Sequence, residues 1–171
     1  MNTNFATSLG YTLRSEGGFV NNPRDPGGAT NKGVTQSVYD GWRRSHGLPT
    51  QSVRLISGEE LTGIYRLQYW DRFRGDDLPS GVDYAVFDFA VNSGVMRAAE
   101  HLQSILHVTV DGNIGAQTIN AARGVNDKAG LIAKICSDRL SFLKSLATFK
   151  FFGNGWTVRD HAVLAQAEAM A

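Results

Sequence analysis

Two carboxylates, Glu16 and Asp25, stand nine positions apart, one opening and one inside a stretch rich in glycine, proline and asparagine. A pair of carboxyl groups across a groove can cleave a glycosidic bond. One donates a proton to the leaving oxygen; the other activates water or steadies the positive charge on the sugar. Glu16 falls where the first helical pattern ends, a rigid place for an acid. Apolar neighbours such as Phe19 and the negative pole of a helix C-terminus would favour a carboxyl that keeps its proton. Thr30 and Thr35, further along, offer hydroxyls that could position a water, and the spacing leaves both open. Each has a plainer reading when taken singly. Glu16 is then a solvated residue at a helix end, Asp25 the opening of a type II turn, and the threonines partners of local backbone.

Other residues extend the possible site. Tyr69, Trp70 and Trp42 could stack on sugar rings or simply fill the core. Asp88, within Tyr84-Ala85-Val86-Phe87-Asp88-Phe89-Ala90-Val91-Asn92-Ser93, needs a partner in so apolar a setting. Asn92, one turn on, shares its face and serves either that network or the substrate. The four histidines, His46, His101, His107 and His161, lack metal-ligand spacing, so neither a metal nor a cofactor is expected. Ser15 and Ser93 lie in no Gly-x-Ser-x-Gly pattern, which leaves acyl transfer unsupported. Cys136, the only cysteine, sits in an apolar helical stretch and reads as a buried, inert thiol.

The elements that must position these groups are helical. Phe5, Leu9 and Leu13 recur at spacing four and predict a helix that Gly17-Gly18 stops near Glu16. Residues 17–35 read as a long ordered loop with room for a short hairpin. Helices are predicted over 36–45, from the Ser57-Gly58-Glu59-Glu60 capping box to about Arg72, over 82–93 with Gly94 as stop, over 98–107 and over 117–123. One long helix is expected from Ala129 to Phe149 and another from Thr157 to Met170. No stretch shows strand alternation. The fold class is mainly α, with a loop at Asp76–Gly81 separating a catalytic lobe (1–75) from a helical second lobe (76–171) packed against it.

Composition narrows the function. Hydrophobic residues form 42% of the 171 and charged ones 19%, an ordinary globular balance. The net charge of +1 argues against nucleic acid as a partner. The N-terminus lacks a signal-peptide pattern, and no apolar run is long enough for stable membrane insertion.

The run Glu16-Gly17-Gly18-Phe19-Val20-Asn21-Asn22-Pro23-Arg24-Asp25-Pro26-Gly27-Gly28-Ala29-Thr30-Asn31-Lys32-Gly33-Val34-Thr35 closely resembles the signature of glycoside hydrolase family 108, the N-acetylmuramidases of phage endolysins and prophages. Tyr69-Trp70-Asp71, Leu78 to Gly94, and Val110-Asp111-Gly112-Asn113-Ile114-Gly115 resemble the second half of that family, a peptidoglycan-binding region. Phe152-Gly153-Asn154-Gly155-Trp156-Thr157-Val158-Arg159 is similar to its Gly-Trp-x-x-Arg segment, with Asn154 where a basic residue is expected.

The resemblance implies a lysozyme-like helical fold and hydrolysis of the β-1,4 bond between N-acetylmuramic acid and N-acetylglucosamine. It implies Glu16 as general acid, with Asp25 and Thr30 or Thr35 as partners. It further implies a monomer that waits in the host cytoplasm for a holin to open the way to the periplasm and wall. Inverting and retaining outcomes both stay open, as do two competing readings: a lytic transglycosylase working with one glutamate, and a non-catalytic wall-binding module.

Overall fold

The computed structural model describes residues 4–21 and 28–171. Helix α1 (Asn4–Ser15) forms as its spacing requires: Phe5 and Leu9 are buried, and Ser8 and Thr12 are buried beside them. After the helix the chain turns into a small antiparallel hairpin, β1 (Thr30–Asn31) and β2 (Val34–Thr35), in register Thr30↔Thr35 and Asn31↔Val34. Strands of two residues are too short to show alternation, which is why the sequence pattern carries no strand signal.

Helix α2 (Gln36–Ser45) follows at once, and α3 (Gly58–Tyr65) opens on the expected capping box, with both reciprocal bonds between Ser57 and Glu60 formed. The helical path beyond α3 widens into a π turn over Arg66–Trp70. Helix α4 (Val82–Ser93) is buried from Val82 through Ala90 and ends where Gly94 adopts φ +97°. Packed against it are α5 (Val95–Ile105), α7 (Lys128–Ser145) and α8 (Phe149–Met170), with α6 (Ala116–Gly124) preceding α7 in the chain.

The chain divides into two compact units. Leu9–Gln68 forms the smaller; Tyr69–Ala171, with the start of α1 up to Ser8, forms the larger. The described residues are mainly α-helical, in line with expectation. None of their helices is long and apolar enough to cross a membrane.

One boundary differs from the sequence reading. The break falls at Leu146, and α8 begins at Phe149, not at Thr157. The glycines of Phe152-Gly153-Asn154-Gly155 resemble a helix stop, yet they lie inside α8. Gly153 permits the ring of Phe149 to lie against its Cα, where an added Cβ would come within 2.6 Å of the ring. Close packing, unreadable from propensity, keeps the helix intact.

Candidate active site

Glu16 is the first residue beyond α1, half-buried, its amide still donating to Leu13 O at 3.4 Å. The next residue is tied to the hairpin: Lys32 N donates to Gly17 O at 3.1 Å. Glu16 is therefore anchored from both sides, by the helix before it and the hairpin turn after it.

That turn has φ +47° at Lys32 and +77° at Gly33, the paired left-handed geometry of a two-residue hairpin loop. Gly33 has a second reason to be glycine. A Cβ there would lie 2.5 Å from the Tyr65 hydroxyl and 3.1 Å from Glu16 Oε2. The tip of the hairpin thus lies directly against the Glu16 carboxyl. Tyr65, buried on α3, donates to Lys32 O at 2.8 Å and fixes the tip from the other side. Neither Gly33 nor Tyr65 is a candidate on sequence grounds. The Asn31-Lys32-Gly33 turn pattern is the one signal that could have pointed to the former.

Thr30 and Thr35 face each other across the hairpin. Thr30 exchanges both backbone bonds with Val20, at 2.8 Å each, so Thr30 and Thr35 form the non-hydrogen-bonded pair, whose side chains share one face at close range. Thr35 also caps α2, its Oγ1 accepting from Val38 N at 3.3 Å. Asp25 falls in residues 22–27, outside the described residues.

The frame around the hairpin is polar and closely bonded. Asn31 Nδ2 donates to Val53 O at 3.1 Å, and Gln36 bridges Gln51 O and Val53 N. Glu60 takes the Tyr39 hydroxyl at 2.6 Å and the guanidinium of Arg43, joining α2 to α3. Burial works to raise the Glu60 carboxyl, but hydrogen bonds from Ser57 and Tyr39 and the Arg43 charge outweigh it. They hold it below its ordinary range.

The aromatic candidates separate. Trp70 is 0% exposed, packed on Phe5, Phe73 and Phe87 at centroid distances of 5.3–5.6 Å, with its indole N–H bonded to Asp76 Oδ1. It is core, and the expectation that it stacks on sugar is corrected: no face of its ring is open. Tyr69 beside it is half-buried. Trp42, also half-buried, stacks on His46 at 3.9 Å. Asn92, half-buried near the end of α4, accepts from the Ser93 hydroxyl at 3.0 Å. Glu16, Thr30 and Thr35 belong to the smaller unit; Tyr69, Trp70 and Asn92 belong to the larger. No group of histidine, cysteine or acidic side chains among the described residues could hold a metal.

The family described as glycosyl hydrolase 108 matches residues 9–94, half of the chain and the whole of the Glu16 hairpin. The chain belongs to glycosyl hydrolase family 108. A second match, to a "Predicted Peptidoglycan domain", covers residues 97–161 of this family member. The solved structure of Brucella abortus SagA is 42% identical to it, with a TM-score of 0.82 over 98% of this chain and 95% of that one. No curated protein matches it in sequence. Together the two matches make the protein a glycoside hydrolase whose substrate is peptidoglycan.

The two matched segments of this glycosyl hydrolase 108 protein meet in one buried ion cluster. Asp88, from the first, takes Arg159 in two parallel bonds of 2.9 and 3.0 Å and lies 2.9 Å from Arg139 Nη1. Arg139 in turn stands 3.8 Å from Asp160. Burial pushes the Asp160 carboxyl up, against the pull of Arg139. Arg159 is the arginine of the Gly-Trp-x-x-Arg segment, so its role here is to neutralise Asp88. Asp88 is structural, as its apolar setting suggests, and two arginines, Arg159 and Arg139, compensate its charge.

The Asp111–Gly115 turn is likewise held from within. Buried Gln103 donates to Asp111 Oδ1 and Asn113 O and accepts from the amides of Asp111 and Gly112. The Asn113 amide and Gln103 keep the Asp111 carboxyl below its usual range.

Proposed function

We propose that this protein is an N-acetylmuramidase that hydrolyses the β-1,4 bond between N-acetylmuramic acid and N-acetylglucosamine. The observation that carries the reading is the clamped position of Glu16, held between the end of α1 and the hairpin tip with its carboxyl against Gly33. A general acid gains from such fixing, because small displacements from the scissile oxygen are costly in rate. Glu16 protonates the glycosidic oxygen, the bond breaks through an oxocarbenium-like state, and water attacks the anomeric carbon. Asp25 and a threonine of the hairpin hold that water. Thr35 already lends its oxygen to the Val38 amide at the start of α2, whereas the Thr30 hydroxyl caps no helix among the described residues, which favours Thr30 for this task.

The resemblance to phage endolysins extends the proposal to a biological role. The protein acts as an endolysin: a monomer made in the host cytoplasm that reaches the wall once a holin has permeabilised the membrane. Glu16→Gln keeps the shape of the side chain and removes its proton. It should lower clearing of permeabilised cells by about 10²–10⁴-fold, the usual contribution of a general acid, with the melting temperature nearly unchanged. Mass analysis of digested wall should show new reducing ends. Anhydro-muramic ends would make the enzyme a transglycosylase, and a Glu16→Gln variant retaining most activity would remove Glu16 from the mechanism.

A further inference from the structure

The peptidoglycan-domain match lies in the larger unit, and its Asp111–Gly115 turn is bonded largely within itself and to Gln103. A cavity of about 410 Å³ lies nearby, between the end of α5, α6 and the start of α7, lined wholly by residues of the peptidoglycan-domain match. Its volume is within the roughly 300–1,000 Å³ of sites that hold small ligands.

Leu106, Ala121 and Leu131 give it an apolar floor, while His107 and Lys134 supply donors. Its one acid, Asp127, is occupied as the cap of α7, accepting from Gly130 N at 2.8 Å. His107 holds φ +55° just past α5, a place where glycine or asparagine costs less. His107 is thus kept in the lining of the cavity at some backbone cost. An apolar floor with the Lys134 ammonium and the His107 imidazole as donors, and an acid whose Oδ1 is engaged at the helix cap, suits a ligand with small apolar side chains and carboxylates.

The glycan backbone does not have that chemistry; the peptide stems of peptidoglycan do, with alanine methyls and free carboxyl groups. We infer that the peptidoglycan domain grips the wall by its peptide stem in this cavity, methyl groups on the Leu106–Ala121–Leu131 floor and a carboxylate between His107 and Lys134. The inference rests on peptidoglycan being the substrate but not on Glu16 being the acid.

The test is calorimetric titration of the whole protein with a synthetic stem tetrapeptide and, separately, with chitotetraose. The stem should bind, and Lys134→Glu, at an exposed position that cannot disturb folding, should weaken it about ten-fold, the scale of one charge-assisted contact. Ala121→Trp should fill the cavity and abolish stem binding. Glu16→Gln should leave stem binding intact while ending hydrolysis, so failure of the catalytic reading and failure of this one look different. Absence of stem binding by the unaltered protein, or equal binding by the Lys134→Glu variant, would overturn the inference.

Discussion

Replacing Gly33 with alanine tests the clamped-acid geometry most directly. At φ +77° an alanine pays about 1–2 kcal/mol for the left-handed conformation. Its methyl would also meet the Tyr65 hydroxyl at 2.5 Å, and that hydroxyl can withdraw only by giving up its bond to Lys32 O, a loss of about 1 kcal/mol. Together these make about 2–3 kcal/mol, or a melting temperature lower by roughly 5–10 °C in a chain of this size. The same methyl presses on Glu16 Oε2 at 3.1 Å. A shift of the acid approaching 1 Å would lower turnover by about 10²-fold. Calorimetry and release of reducing ends from purified wall measure the two effects separately. A second variant isolates the cause: with Tyr65→Phe already present the hydroxyl is gone, so adding Gly33→Ala should cost distinctly less stability than it does alone. A Gly33→Ala protein with unaltered melting and unaltered turnover would refute the claim that hairpin tip and acid are mutually fixed.

Three further outcomes are expected. Asp88→Ala strands Arg139 and Arg159 in the core and should cost about 3–5 kcal/mol by thermal or denaturant unfolding. Because the Glu60 carboxyl is held below its ordinary range, its contribution is full at neutral pH and is lost as pH falls through the folded-state value. Glu60→Gln should therefore melt lower than the parent at pH 7, and the gap should narrow towards pH 3. The Cys136 thiol, pushed up to about 12 by burial, should resist alkylation at pH 8 in the native protein, where only about one molecule in ten thousand carries the thiolate, and react promptly once unfolded by urea.

Features governed by near neighbours are legible in the sequence. The end of α1 before Gly17-Gly18, the capping box at Ser57 and Glu60, and the stop at Gly94 all rest on residues within four positions of one another. Features governed by distant partners are not. Tyr65 reaches Lys32 across 33 positions and Asp88 reaches Arg159 across 71, so neither contact leaves a periodic trace. Trp70 looks like a sugar platform because type and spacing cannot tell an inward ring from an outward one. Its π turn and three aromatic neighbours decide the matter. The start of the Phe149–Met170 helix is an exception among near neighbours: the ring of Phe149 packs on Gly153 only four positions on, but glycine by type reads as a break.

The position of Asp88 also bears on how such enzymes can be recombined. A crossover between residues 94 and 97 follows the bounds of the family matches, yet it would part Asp88 from Arg139 and Arg159. A chimera keeping its own glycosidase half but borrowing a foreign wall-targeting half inherits uncompensated charges unless the donor supplies both guanidiniums in register. An exchange that leaves the cluster whole has to take Asp88, Arg139 and Arg159 from one parent.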